Sequence, residues 1–168
     1  MTERDRRQRF DDLYALYDKR ILAYCIYVLG DRDLANDVYQ EVFVKAYQSL
    51  HTIRKSVKEV NWLFRIARNE CLNTLKARQR NDRRSMRIDD AEHLLVTRDG
   101  VVEQNEAEHL HRALEQLPIV YRDAILLAEF EGFSLKEIAE ITGVSLSNVK
   151  VRIHRSKRKL HQIREPIL

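Results

Sequence analysis

Residues 134–160 read SLKEIAEITGVSLSNVKVRIHRSKRKL and carry the signals of two short helices joined by a turn. Ser134, followed three positions later by Glu137, is the capping-box pattern that opens a helix. Gly143 stands where the chain has to turn, since glycine tolerates the positive φ that commonly ends a helix. Ser145 is then in position to cap the second helix. A short helix, a glycine turn and a polar second helix form the helix-turn-helix unit that docks in the DNA major groove.

The second of these helices is strongly basic. Residues 150–164 hold seven Lys or Arg and no Asp or Glu, whereas a solvated helix usually mixes signs to gain pairs four positions apart. This favours contact with a polyanion over the alternative, a helical hairpin with a solvated basic end. Residues 54–87 form another basic block, with eleven Lys or Arg against three acids, and residues 88–149 carry thirteen acids against four basic residues. Two basic blocks in one small chain predict two contacts with a polyanion.

Composition excludes several classes of protein. The chain has 168 residues, a net charge of +4, four Gly and two Pro, which leaves little material for tight sheet turns and favours an all-helical protein of one or two domains. It has no apolar run of about 18 residues, so we expect no membrane insertion, and its charged N-terminus lacks the apolar core of a signal peptide. Cys25 and Cys71 lie in helical patterns, which favours buried free thiols in a reducing cytoplasm. Two distant cysteines without clustered histidines are a poor zinc site, and we predict no metal and no cofactor.

Apolar residues at helical spacing predict helices along most of the chain. Before the helix-turn-helix, the predicted helices span 10–29, 34–50, 57–84, 107–116 and 118–132. Their boundary signals are Gly30 after the first, Asp31 or Asp33 before the second, a capping box of Ser56 with Glu59 before the third, and Pro118 at the first position of the fifth. We therefore expect an all-α fold of two small helical domains, residues 1–84 and 107–168, joined by a linker over 85–106.

One face of the third predicted helix is polar. Five of its residues fall close to one line, at spacings of three and four: Arg65, Asn69, Asn73, Lys76 and Arg80. Amides on such a line can hydrogen-bond base edges, while the cations hold phosphates. Trp62 stands at the start of this helix, where it either stacks on an unpaired base or packs as a core tryptophan. The sequence leaves both alternatives open for Trp62.

Three segments carry a family resemblance, and they are DRDLANDVYQEVFVKAYQSL at 31–50, WLFRIARNECLNTLKARQR at 62–80 and ALEQLPIVYRDAILLAEFEGFSLKEIAEITGVSLSNVKVRIHRSKRKL at 113–160. In this order they resemble three parts of a bacterial RNA polymerase sigma factor of the extracytoplasmic-function (ECF) group, the smallest members of the sigma-seventy family. The parts are the helix that binds core polymerase, the helix that engages the minus-ten promoter element, and the domain that reads the minus-thirty-five element. The resemblance implies an alternative sigma factor, which binds core RNA polymerase, recognises promoter DNA through two domains and promotes strand opening to initiate transcription.

The resemblance also implies roles for individual residues. The face that binds core polymerase would comprise Asp37, Gln40, Glu41 and Lys45. The contacts to the minus-ten element would come from Arg54, Lys55, Ser56, Trp62, Arg65, Asn69, Asn73, Lys76 and Arg80. In the family, the connector corresponding to 51–61 captures a base flipped from the duplex. The contacts to the minus-thirty-five element would come from Ser147, Asn148, Lys150, Arg152 and Arg155.

The resemblance implies one more partner, an anti-sigma factor wedged between the two domains. In the family this partner is often membrane-bound, so it would hold an otherwise cytoplasmic factor at the membrane.

Two other classes of protein stay open. A stand-alone helix-turn-helix regulator explains residues 134–160 but leaves the motifs at 31–80 without a role, and it predicts tight DNA binding without polymerase. An enzyme is disfavoured, because the sequence contains no nucleophile elbow, phosphate loop, HExxH motif or clustered metal ligands.

Overall fold

The computed structural model describes residues 1–85 and 106–164, and within those ranges the regular elements are all helical. They are α1 (Glu3–Leu29), α2 (Arg32–Ser49), α3 (Glu59–Ser85), α4 (Glu106–Glu115), α5 (Ile119–Ile125), α6 (Leu135–Thr142) and α7 (Leu146–Arg164). A 3₁₀ turn, Leu50–Thr52, follows α2, and a π-helical turn, Leu126–Phe130, extends α5. The predicted all-α fold is confirmed, and the predicted linker lies outside the described residues except at its two ends.

Helices α1, α2 and α3 pack side by side, and local signals set the turn between the first two. Gly30 adopts a φ of 72°, and its N–H donates to the carbonyl of Ile26 at 2.8 Å, which ends α1. The Asp31 carboxylate accepts from the backbone N–H of Leu34 at 3.0 Å and so caps α2, one of the two caps that the sequence offered. The apolar stripes of the three helices are buried against one another, with Ile21, Val42 and Phe64 fully enclosed.

Two helix starts in this part of the chain differ from the prediction. Helix α1 begins at Glu3 rather than at residue 10, because Thr2 and Asp5 form a capping box upstream of the apolar pattern. The predicted start of α3 at residue 57, with Ser56 as its cap, is wrong. The backbone N–H of Val57 donates to the carbonyl of Arg54 in a separate turn, at 3.0 Å, and α3 begins at Glu59. The Glu59 carboxylate is engaged elsewhere, since it accepts from Arg9 Nε at 2.5 Å.

Helices α4 to α7 form the second helical unit, and Arg122 stabilises its centre. The Arg122 guanidinium donates to the carbonyls of Leu114, Glu115 and Leu117 at the C-terminal end of α4, and to the carbonyl of Val28 in α1. Carbonyls at a helix end have no partner within their own helix, so one partly buried guanidinium satisfies several of them. Burial lowers the pKa of Arg122 from its usual value. Pro118 is the N-cap of α5 rather than its first residue, so this helix begins one position later than predicted.

The helix-turn-helix follows the sequence signals closely. Ser134 Oγ accepts from the backbone N–H of Glu137 at 3.1 Å, and the Glu137 carboxylate accepts from the N–H of Ser134 at 3.2 Å. Gly143 ends α6 with a φ of 73°. Ser145 Oγ accepts from the N–H of Asn148 at 3.2 Å, which caps α7. All three predicted local devices are confirmed.

Candidate nucleic-acid interface

The outer face of α7 carries the residues predicted for the upstream contact. Ser147, Asn148, Lys150 and Arg155 are exposed, while Arg152 is half-buried toward the side of the helix. On the opposite side Val149 and Ile153 are buried against the core. Ser156 is also fully buried, and its hydroxyl donates to the carbonyls of Tyr121 and Arg152 at 2.7 and 2.6 Å. This fixes which side of α7 is available to a ligand.

The polar line of α3 is exposed along its whole length. The residues on it are Arg65, Asn69, Asn73, Lys76 and Arg80. The opposite side of the same helix is fully buried through Leu63, Phe64, Ala67 and Cys71. The row therefore presents two adjacent amides flanked by cations to solvent, an arrangement suited to a nucleic-acid strand that offers both bases and phosphates.

A cavity of about 440 Å³ lies where the connector meets the start of α3. Its lining from this part of the chain includes Arg54, Trp62 and Arg65, so an aromatic ring and two cations border one space. Trp62 is half-buried and packs against the core. It thus combines the two alternatives that the sequence left open, core packing and a surface available to an unpaired base. The remaining predicted residues of the connector, Lys55 and Ser56, are exposed.

The second helical unit covers one side of this cavity. Glu140 and Ile141 of α6 complete its lining. Beside it, the Asn61 side chain is buried and hydrogen-bonds Glu137, while Asn61 Oδ1 has no hydrogen-bond partner within the described part of the chain. An unsatisfied buried acceptor is uncommon in native proteins.

The outer face of α2 carries two carboxylates and meets the α3 polar line at one end, where Lys45 and Asn69 border the same cavity. Asp37, Gln40 and Glu41 are exposed, opposite the buried stripe of α2. Lys45 lies on the same face but its Nζ is 2.5 Å from Glu70 Oε1 of α3. That hydrogen bond raises the pKa of Lys45 above its usual value. The four residues predicted for this face thus share one surface, and one of them also links two helices.

A buried polar contact joins the two helical units, and the sequence reasoning missed it. Asp123 of α5 has a side chain that is 2% exposed. Its Oδ1 accepts from the Tyr24 hydroxyl of α1 at 2.5 Å, and its Oδ2 accepts from Arg68 Nε of α3 at 2.5 Å. Burial and the neighbouring Asp123 carboxylate raise the pKa of Tyr24 well above its usual value, so this hydroxyl stays protonated and donates.

Two further ion pairs cross the same boundary. Arg20 Nε lies 2.8 Å from Glu131 Oε2, and Lys58 Nζ lies 3.6 Å from Glu137 Oε2. In both pairs the base belongs to the first unit and the acid to the second. The acidic composition of residues 88–149 was the available signal, but a count of charges cannot tell which basic residues the acids meet.

Two family models match the two helical units. The model for sigma-70 region 2 matches residues 13–81, and the model for sigma-70 region 4 matches residues 107–160. The RNA polymerase sigma-H factor of Pseudomonas aeruginosa is 32% identical over 177 aligned positions, which cover 99% of this chain and 92% of that protein. The chain belongs to the sigma-70 family. It is a sigma factor of the ECF group, as the sequence predicted.

Other relatives agree with this membership. The ECF RNA polymerase sigma factor SigW of Bacillus subtilis is 28% identical, over 91% of this chain and 87% of that one. Among solved structures, RpoE in its co-crystal with the anti-sigma factor NepR from Bartonella quintana has a similar fold. It superposes with a TM-score of 0.77 at 23% identity, over 92% of this sigma factor and 96% of that chain. CnrH, in complex with the cytosolic domain of CnrY, gives a TM-score of 0.71 at 24% identity, over 96% and 91% of the two chains.

The described residues of the sigma factor show neither a membrane-spanning helix nor a metal-binding cluster. In residues 1–85 and 106–164 there is no helix with the length and apolar character needed to cross a membrane. The same ranges contain no group of three or more His, Cys, Asp or Glu residues placed to hold a metal ion.

Proposed function

We propose that this sigma factor uses three surfaces to bind three different partners or DNA elements. They are the α2 outer face, the α3 polar line with the connector, and the α7 outer face. The observation that carries the proposal is common to all three helices. In each of them the predicted contact residues are exposed, apart from the half-buried Trp62 and Arg152, while the opposite side of the same helix is buried in the core. Exposed residues can be engaged without breaking core packing, so binding pays only for ordering and desolvating their side chains.

The α2 outer face is assigned to core polymerase. Asp37, Gln40 and Glu41 supply an acidic and polar surface, and Lys45 stands at its edge beside Glu70. Val44 on the same side is 49% exposed, which adds an apolar group to the acidic patch. A patch with an apolar centre and a polar rim is the usual composition of a protein-binding surface, whereas nucleic acid would be repelled by the carboxylates.

The α3 polar line is assigned to the unpaired strand of the minus-ten element. Its amides, Asn69 and Asn73, are flanked by cations on both sides, and Arg54, Lys55 and Ser56 extend the polar surface into the connector. Trp62 borders the adjacent cavity, where an unpaired base has an aromatic ring beside it. Base flipping costs a few kcal/mol of unstacking, which stacking and phosphate contacts can offset.

The α7 outer face is assigned to the minus-thirty-five duplex. Ser147 and Asn148 lie in the first turn of the helix, where recognition helices contact base edges. Lys150 and Arg155 flank them and suit phosphates, and Arg152, half-buried, reaches the groove from the side. Phosphate contacts release counterions, so DNA binding by the holoenzyme should weaken steeply as salt is raised.

We further propose that residues 1–84 and 107–168 act as two domains joined by a linker over 85–106. An anti-sigma factor is proposed as a partner that separates or clamps these domains. The support is that the structural neighbours RpoE and CnrH have the same fold and were solved with such partners, NepR and CnrY. The proposed location is cytoplasmic, and the proposed role is binding without catalysis.

The first test is binding of the fluorescently labelled chain to core RNA polymerase stripped of its own sigma factor. We expect tight binding of the unaltered chain and a large loss for Glu41→Lys, because the substitution reverses a charge at the centre of the α2 outer face. Asp11→Lys is the matched control, since it reverses an exposed acid on α1 outside that face. Equal binding by both variants would contradict the assignment. Absent polymerase binding, with tight DNA binding by the free chain, would favour an independent regulator.

The second test separates the two DNA surfaces within the holoenzyme. Arg155→Ala should weaken binding to duplex DNA upstream while leaving polymerase binding unchanged. Asn69→Ala should instead reduce strand opening, measured by permanganate reactivity of unpaired thymines, with little change in upstream binding. If both variants lose both activities to the same extent, the division into two DNA surfaces is wrong.

A further inference from the structure

Val151 is an apolar side chain in the centre of the polar outer face of α7. It is 43% exposed, while Val149 and Ile153 on the other side are 1% and 8% exposed. At 3.6 residues per turn, Ser147, His154 and Arg158 fall on the same outward strip as Val151. The core face of α7 is thus filled by other residues, and Val151 contributes little to internal packing.

The surroundings of Val151 restrict what it can contact. Its exposed neighbours along the outward strip are polar or basic, so an apolar protein patch is not continued on either side. Valine in a helix holds one strongly preferred rotamer, so its two methyl groups have fixed positions and lose little freedom on binding. A rigid methyl pair surrounded by phosphate-binding cations suits an apolar group that lies within a polar, anionic ligand.

The DNA major groove contains one such group among the ordinary bases. Base edges there offer hydrogen-bond donors and acceptors, and thymine alone adds a C5-methyl group. We propose that Val151 is a specificity-determining residue of this sigma factor, and that it selects a thymine in the upstream promoter element by contact with the C5-methyl group. The inference rests on the proposed function of α7 and adds to it the identity of one base.

The experiment uses the holoenzyme and DNA sites that it selects from a random library. Each thymine of the selected upstream element is then replaced singly by uracil, which removes the methyl group and leaves every hydrogen-bonding atom in place. Binding is measured for the wild-type holoenzyme and for Val151→Ala. Val120→Ala is the matched control, because Val120 is 38% exposed in the same domain but lies on α5.

For wild type, we expect one thymine position at which uracil weakens binding about fourfold, the effect of losing one buried methyl group. Val151→Ala should bind the thymine site about fourfold more weakly and show no further loss with uracil, because the two changes remove the same contact. At that position, 5-methylcytosine paired with guanine should bind more tightly than cytosine, which distinguishes the methyl group from the O4 of thymine. Val120→Ala should retain the full response to uracil.

The opposite results would overturn the inference. If the loss of binding from Val151→Ala and the loss from uracil are additive at every position, Val151 does not contact a thymine methyl group. A selected element in which no thymine is sensitive to uracil would lead to the same conclusion. Arg155→Ala separates this failure from that of the proposed function. If Arg155→Ala still abolishes upstream binding, α7 remains the reader and Val151 has no part in base selection. If Arg155→Ala has no effect, the assignment of α7 itself is wrong.

Discussion

Replacing Asp123 with alanine should be the most damaging single change at the boundary between the two helical units. The carboxylate accepts from Arg68 Nε and from the Tyr24 hydroxyl, each at 2.5 Å, and is 2% exposed. Removing one partner of a buried ion pair typically costs about 3–5 kcal/mol. Because the Arg68 side chain is 12% exposed and reaches some water, we take the lower end, about 3 kcal/mol. The unsatisfied Tyr24 hydroxyl adds about 1 kcal/mol.

The loss should appear as separation of the two units, because all three residues lie at their boundary. Trp62, the single tryptophan, borders the cavity that α6 covers, so its fluorescence should shift to longer wavelength when α6 moves away. Urea unfolding gives the stability, and small-angle scattering gives the radius of gyration, about 15 Å for a compact chain of this length. Glu129→Ala is the control, since its pair with Lys157 is exposed on both sides and should contribute under about 1 kcal/mol.

A triple variant checks the physical reason. Asp123→Leu combined with Arg68→Met and Tyr24→Phe removes every polar group of the contact, leaves no buried charge and should recover most of the stability. The reasoning is refuted if Asp123→Ala changes the unfolding free energy by less than about 1 kcal/mol with unchanged tryptophan emission. It is also refuted if the triple variant is less stable than the single one.

Three further predictions concern the local devices. The hydrogen bond from the Ser134 N–H holds the pKa of the Glu137 carboxyl below its usual 4.5. The ionised carboxylate therefore contributes to folding stability above pH 4.5, and this stability is lost as the pH falls through the lowered pKa. The melting-temperature difference between wild type and Glu137→Gln should therefore shrink below pH 4.5 in circular-dichroism melts. Gly143→Ala should cost about 1 kcal/mol in urea unfolding, because φ is 73° while no atom of the described residues, beyond its chain neighbours, lies within 4 Å of the added methyl group. A hydrogen bond to Cys25 and burial raise the pKa of the Cys71 thiol, so both cysteines should react with a colorimetric thiol reagent after unfolding and not before.

The features that the sequence predicted correctly depend on neighbouring residues. The capping box at Ser134, the left-handed Gly143 and the cap at Ser145 each involve groups within a few positions, so their geometry follows from local spacing. The exposed line of α3 follows from helical periodicity in the same way. The wrong start of α3 shows the limit of this reasoning, because a capping box at Ser56 competes with a pairing that spans 50 positions, between Arg9 and Glu59.

The boundary between the two units could not be predicted, because its contacts have no local signature. The pairs that Asp123 forms span 99 positions to Tyr24 and 55 to Arg68. Each residue has an ordinary local interpretation, since Tyr24 continues an apolar stripe and Arg68 stands beside a row of solvent-facing cations. Their common partner becomes visible when α5 is placed against α1 and α3.

The same boundary changes the interpretation of the basic blocks. Residues 54–87 carry eleven Lys or Arg, and the sequence reasoning treated the block as one polyanion contact. In the structure, Lys58 and Arg68 pair with acids of the second unit, whereas Arg65, Lys76 and Arg80 form part of an exposed row. The block therefore divides into cations that pair with acids inside the protein and an exposed row, which the proposed function assigns to phosphates. A count of charges cannot separate the two groups, because the separation depends on which side of the first helical unit each cation lies.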